Sequence, residues 1–269
     1  MMVRWRRSPR AVGGSILLGL LAVVALSASW LAPTQPFALT GQALAPPSGQ
    51  HPFGTDDLGR DVWAGVIHGA RISLAVGFAA AFCTTALGLL VGAVAGARPG
   101  AIDDTLMRAT EFVQAIPRFF LAVLVVSLFG GRLWLIVAVI GLTAWPAAAR
   151  VFRLQVLGAL GQDFVLAARA AGSTEWGILV RHVLPVTIAV VAAQVSYQAG
   201  GAILAEAGLS FLGLGDPTVM SWGTLLGAAH QTVREAWWIA VFPGLAITLT
   251  VLGCNLLADG FLAGADDEG

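Results

Sequence analysis

"DFVLAARAAGSTEWGILVRHVLP", residues 163–185, is the stretch on which the fold turns. Charged residues stand in it at helical intervals about Gly172, and the run stops at Pro185, whereas the sequence on either side is apolar enough for lipid. From Asp163 to Ala171 the apolar Phe164, Val165, Ala167, Ala168 and Ala171 cover most of a helix's circumference and leave Asp163 and Arg169 polar. Gly172 then ends the run as a C-cap glycine. Ser173 or Thr174 can cap a second short helix, with Glu175 in its first turn against the positive end of the dipole. The stretch predicts a helix, a hinge and a second helix, too short to cross a bilayer. Its apolar face either lies on a membrane surface or fills a groove on another protein.

Working outward, the chain of 269 residues is 57% hydrophobic and only 11% charged, with a mean hydropathy of +0.82. Soluble domains carry about 25% charge, so this is an integral membrane protein. The formal net charge is zero. A basic surface that would hold nucleic acid is therefore missing, which excludes that class of partner. Cys83 and Cys254 fall in apolar runs with no CxxC spacing, so neither a disulfide framework nor structural zinc is expected.

A spanning helix needs about 20 mostly apolar residues. Six such runs predict an all-α membrane protein with spans over 12–31, 72–95, 111–129, 133–149, 183–204 and 237–257. The basic "MMVRWRRSPR" followed by "ALSASW" also fits a cleaved signal, but the run approaches spanning length and reads as a retained anchor. Placing both termini in the cytoplasm puts Arg4, Arg6, Arg7, Arg10, Arg98, Arg108, Arg150, Arg153, Arg169 and Arg181 inside. Arg60, Arg71, Arg132 and Arg234 then lie outside, with Arg118 in or near the third span, and this asymmetry satisfies the positive-inside rule.

The resulting organisation is a cytoplasmic tail (1–11), an anchor helix (12–31), an external loop (32–71), a transmembrane domain (72–262) with a cytoplasmic loop over 150–182, and a cytoplasmic tail (263–269). A second external segment, 205–236, mixes apolar residues with Gly and Pro and can dip into the membrane.

Gly88, Gly92 and Gly96 recur every fourth residue on one helical face and predict close backbone packing. Pro243 is expected to kink the last span, with Trp237 and Trp238 at the interface before it. Asp56, Asp57, Arg60 and Asp61 read as a helix cap with ion pairs, or else as a docking turn. Glu111 and Arg118, seven apart, would share a helical face near an end of their span, where snorkelling or an ion pair with Arg108 accounts for them. Glu206 faces a path through the membrane or braces the external segment. His51, His68, His182 and His230 lack the spacing of a helical metal pair, and no metal site, bound cofactor or catalytic constellation is expected.

The opening stretch resembles the "EAA" loop of ABC-importer permease subunits, in which EAA is followed after three residues by Gly and after nine more by Ile-x-Leu-Pro. Here Leu166-Ala167-Ala168, Gly172 and His182-Val183-Leu184-Pro185 keep both spacings, with Leu166 in place of the acid and His182 in place of the isoleucine. "HPFGTDDLGRDVWAGVIHGARISLAVG" (51–77), "EAGLSFLGLG" (206–215), "SWGTLL" (221–226) and "FPGLAITLTVLGCNLLADGF" (242–261) are similar to motifs of the C-type permease subunits of dipeptide, oligopeptide and nickel importers. The usual "LRDxLDPR" ending is replaced here by "FLAGADDEG".

This resemblance implies a type I importer permease fold in a bacterial inner (plasma) membrane, with a cytoplasmic coupling helix at 163–180. It also implies the partners: a second homologous permease, one or two cytoplasmic ATPase subunits that bind ATP and Mg, and an extracytoplasmic binding protein. Asp163, Leu166, Ala167, Ala168, Gly172, Glu175, Trp176, His182 and Pro185 are the expected coupling residues, and Glu206 and Phe211 candidates for the path or gate. Pro185 is expected to open the fifth span, where its missing N–H is harmless. Di- and oligopeptides are the cargo most often implied; nickel complexes, glutathione and haem are alternatives. No GxxxxGK[ST] phosphate loop occurs in the chain. A stand-alone secondary transporter would need charges along its spans and internal repeats, and a membrane enzyme a clustered polar site; the sequence displays neither.

Overall fold

The computed structural model describes residues 8–266. Among them the chain forms helices α1 (Pro9–Leu26), α2 (Ala28–Leu31), α3 (Val62–Ala97), α4 (Ala101–Ala115), α5 (Arg118–Phe129) and α6 (Leu133–Leu160). There follow α7 (Asp163–Ala170), α8 (Glu175–Ile178), a π turn (Leu179–Val183), α9 (Leu184–Val186), α10 (Ile188–Phe211), α11 (Trp222–Ala229) and α12 (Trp238–Asp266). The only bridging between extended segments among the described residues is two isolated pairs, Leu39 with Arg60 and Thr55 with Asp61. Five helices, α1, α3, α6, α10 and α12, are long and apolar enough to cross a membrane alone, and α4 with α5 makes a sixth span bent by 69°.

Small residues bring the helices together. The Cβ that a side chain would add at Gly88 falls 2.6 Å from the Cβ of Ala148, at Gly92 2.3 Å from the Ala149 carbonyl oxygen, and at Gly96 2.9 Å from that of Arg153. The glycine face of α3 thus lies backbone to backbone on α6, as the fourfold repeat predicts. Thr84 on the same helix donates to the Gly141 carbonyl of α6 at 3.2 Å. The anchor uses the same device, Gly14 meeting the backbone of Leu257 and Gly260 that of Ala11.

Several expected boundaries move. The first helix begins at Pro9, with proline at its start, and breaks at Ser27, whose hydroxyl donates to the Val23 carbonyl. The described part of the expected 1–11 tail is therefore mostly helical, and residues 1–7, with Arg4, Arg6 and Arg7, lie outside the described residues. The loop expected over 32–71 ends at Asp61, because Asp61 caps α3 by accepting from the Trp63 N–H at 3.0 Å. Asp56 accepts from Arg60 at 2.6 Å, so this turn is the cap and ion pair expected. Helix α6 runs eleven residues past the expected 149, so the loop before the fifth span starts at Gly161 rather than 150. Helix α12 continues to Asp266 through Pro243, and only 267–269 of the expected 263–269 tail lie outside the described residues.

Two prolines explain the remaining shifts. Pro117 holds Ile116 extended (φ −86°, ψ 123°) and splits the third span, so Glu111 and Arg118 sit on different helices and share no face. Neither is in an ion pair among the described residues. Pro185 does not open α10, which starts at Ile188. Its ring would collide with the carbonyl four residues back, and the preceding turn widens to a π turn in which the Leu184 N–H reaches the Leu179 carbonyl.

The ends of the spans away from the 163–185 hairpin are closed by polar anchors. The Trp222 indole donates to the Val66 carbonyl at 2.9 Å and the Trp222 backbone N–H to the Ser73 hydroxyl, which docks α11 against α3. Trp238, expected at the interface, is buried and donates to the Thr55 carbonyl, whereas Trp237 is exposed. Asp216 receives the Leu133 N–H at the start of α6. Its carboxyl is held below the ordinary range by Thr218, by the Leu133 N–H and by Arg132 nearby.

The glycine seam generates a test. Gly92→Ala should lower the melting temperature of the purified protein in detergent, since overpacking costs about 1–3 kcal/mol. Gly244→Ala, whose Cβ would meet nothing within 4 Å, should leave it unchanged or raise it. Equal melting of Gly92→Ala and the parent would show that the seam does not constrain the bundle.

Candidate functional site

The helical hairpin of the opening stretch is built as its residues dictate. Helix α7 ends in a Schellman motif: the Gly172 N–H donates to the Arg169 carbonyl at 2.9 Å and the Ser173 N–H to the Ala168 carbonyl at 3.0 Å. That closure needs a left-handed residue, and Gly172 has φ +82°. Thr174 caps α8 by accepting from the Gly177 N–H at 3.1 Å. Across the turn, Arg169 donates to both carboxylate oxygens of Glu175 at 2.9 and 3.0 Å. The guanidinium holds the Glu175 carboxyl below its ordinary value of 4.5.

One face anchors the hairpin and the other is free. Val165, Ile178, Leu179 and Val183 are buried against Ala93 of α3 and Val156 and Ala159 of α6, with Ala168 and Leu160 at the edge of the cluster. Leu166 is 58% exposed and Trp176 69%. Asp163, Ala167, Gly172, Glu175, His182 and Pro185 are exposed as well. Of the expected coupling residues, therefore, only Ala168 serves the anchoring side. A cleft beside the hairpin is lined by Arg98, Leu160, Glu175 and Trp176.

The two expected path residues lie elsewhere. Glu206 on α10 is 1% exposed and accepts from the Ser210 hydroxyl at 2.7 Å, next to the point where Gly223 of α11 meets Ala207 and Ser210. Phe211 is exposed at the end of α10, its ring edge-on to His230. Neither lines a cavity of 490 Å³ between α3, α5, α6 and α10, which is bordered by Thr84, Arg118, Thr143 and Gln198 among apolar neighbours, although Ala205 and Leu209, beside Glu206 on α10, belong to its wall. No group of three His, Cys, Asp or Glu able to hold a metal occurs among the described residues.

Sequence reasoning missed one polar link. Arg153 of α6 donates through Nε and Nη2 to the two oxygens of Asp103 on α4, both at 2.5 Å, and Asp103 is buried. The partners are 50 positions apart, so no local spacing announces the pair. A removed partner would strand a mostly buried charge.

Comparison with known proteins covers most of this architecture. The family model described as binding-protein-dependent transport system inner membrane component matches residues 88–266, from the glycine face of α3 to the end of α12. The chain is 38% identical over 266 residues to the di/tripeptide transport system permease protein DppC of Pseudomonas aeruginosa, covering 96% of this chain and 88% of that one. It is 37% identical over 271 residues to the dipeptide transport system permease protein DppC of Bacillus subtilis, covering 98% of this chain and 84% of the relative. With six candidate spans, a glycine-closed hairpin at the expected loop and these matches across nearly its whole length, the chain belongs to the family of binding-protein-dependent transport system inner membrane components.

Proposed function

We propose that this chain is one of two permease subunits forming the path of a peptide importer, coupled through residues 163–185 to ATPase subunits that bind ATP and Mg. The reading is supported by the relatives, two of which are named for dipeptide or di/tripeptide transport. The observation that carries the coupling role is the hairpin itself. It is anchored by Val165 and Ile178 to the two helices of the glycine seam and presents Leu166, Ala167, Glu175 and Trp176 outward. An apolar and aromatic surface flanked by an ion pair suits a socket on a cytoplasmic ATPase, and an extracytoplasmic binding protein would deliver cargo at the opposite face. Because the spans carry few charges, a gradient-driven relay is disfavoured against this reading.

Two experiments test it. In the transporter reconstituted with its ATPases and binding protein, Ala168→Glu and Gly172→Asp should leave ATP hydrolysis running. Peptide uptake should fall about tenfold or more, the loss of a contact worth ~1.4 kcal/mol. Unchanged uptake in both variants would overturn the coupling role. For orientation, Ser48→Cys in a cysteine-free background should react with an impermeant maleimide on intact cells, and Ser173→Cys only after permeabilisation. The reverse pattern would overturn the cytoplasmic placement of the hairpin.

A further inference from the structure

The 490 Å³ cavity between α3, α5, α6 and α10 has a wall of mixed chemistry. Four polar side chains line it, and two of them are engaged within the fold. Thr84 donates to the Gly141 carbonyl and Thr143 to that of Val139. The other two, Arg118 and Gln198, make no hydrogen bond, ion pair or ring contact among the described residues. No Asp or Glu lines the cavity. Phe119, Phe120, Ala122, Ile140 and Leu209 supply an apolar surround.

Arg118 is placed there by the break in the third span. Had that span been one straight helix, Arg118 would lie near its end and could snorkel. Pro117 instead starts α5 at Arg118, which puts the guanidinium at the junction of the two arms, away from both ends of the bent span. Cations within spans are rare and face a partner or a water-filled cavity, and no partner for Arg118 is present among the described residues. A guanidinium presents five donors in a planar fork that matches a carboxylate. An amide such as that of Gln198 both donates and accepts, as a peptide group requires. A wall with one cation and no acid repels a bare metal cation and attracts an anion, and the volume falls within the range of about 300–1,000 Å³ typical of small-ligand sites.

Resting on the peptide-importer reading, we propose that Arg118 contacts the free C-terminal carboxylate of a peptide in transit, with Gln198 meeting its backbone amides. The site belongs to the path rather than to the binding protein, so the test omits the binding protein. The permease–ATPase complex in nanodiscs is titrated with L-alanyl-L-phenylalanine and with its C-terminal amide, and binding is followed by saturation-transfer NMR. The parent should prefer the acid by about tenfold, the size expected of one charge-assisted pair. Arg118→Gln should abolish the preference, and Arg118→Lys should keep most of it. Co-purification of the ATPase subunits with each variant, at the parent's elution volume, shows that the variants are assembled. A parent without preference, or a preference surviving in Arg118→Gln, overturns the proposal; so does an equal loss of affinity for both peptides, the mark of an arginine that only braces the partner permease. Failure of peptide uptake by the complete transporter would instead reject the underlying reading of its cargo.

Discussion

The backbone contact between α3 and α6 is the constraint from which the rest of the structure follows. In lipid no hydrophobic force draws helices together, because acyl chains are as apolar as leucine, so association depends on packing and on bonds that lipid cannot offer. Gly88, Gly92 and Gly96 remove every side chain that would hold α6 away, and dispersion between two bare backbone surfaces replaces it. The Thr84 bond to the Gly141 carbonyl fixes the register of the pair. Around that bond, α6 contributes Ile140, Thr143 and Ala144 to the cavity wall, and Thr84 itself lines it. Below it, the same two helices contribute Ala93, Val156 and Ala159 to the groove that seats the hairpin. The same helix pair therefore borders both the cavity and the groove that holds the hairpin.

Around this beam the breaks in the chain fall where geometry must change. Pro117 turns the third span by 69° beside the cavity, and the π turn before Pro185 sets the angle at which the hairpin returns to α10. The first arm of the bent span is not left loose. Its Asp103 is clasped by Arg153, whose own backbone lies against Gly92 and Gly96. The guanidinium can reach α4 because the glycines have already brought α6 into fixed register with α3. One favourable contact thereby positions another, and α4 moves with the beam rather than independently of it.

Much of this was legible in the sequence, and the gaps have physical causes. Six apolar runs gave the spans because lipid demands about 20 apolar residues whatever the tertiary context. Their ends were misjudged because α3 and α6 continue as helices beyond the apolar run, where capping by Asp61 and packing of Val156 and Ala159 decide the boundary. The glycine repeat and the Gly172 cap were legible because each is a local geometric necessity. Pro117 and Pro185 carried their information too, but a hydropathy window averages over a proline, so the split span and the late start of α10 stayed hidden. Trp238 reads by composition as an interface residue, and only the folded loop before α3 supplies the Thr55 carbonyl that it meets. Asp103 with Arg153 and Asp216 with Leu133 join residues far apart in sequence, which no spacing rule reaches.

The role of Gly172 changes in this light. Glycine at a hinge suggests freedom, yet the Schellman bonds hold Gly172 at φ +82° and the Arg169–Glu175 pair ties the two arms of the hairpin together. A bend at Gly172 would break both sets of bonds, and the buried Val165 and Ile178 would leave the groove between α3 and α6. The glycine is therefore needed for a conformation, not for mobility, and the hairpin behaves as one solid piece. If a partner engages Leu166 or Trp176 as proposed, these bonds would pass its displacement to the anchoring cluster rather than absorb it at the tip.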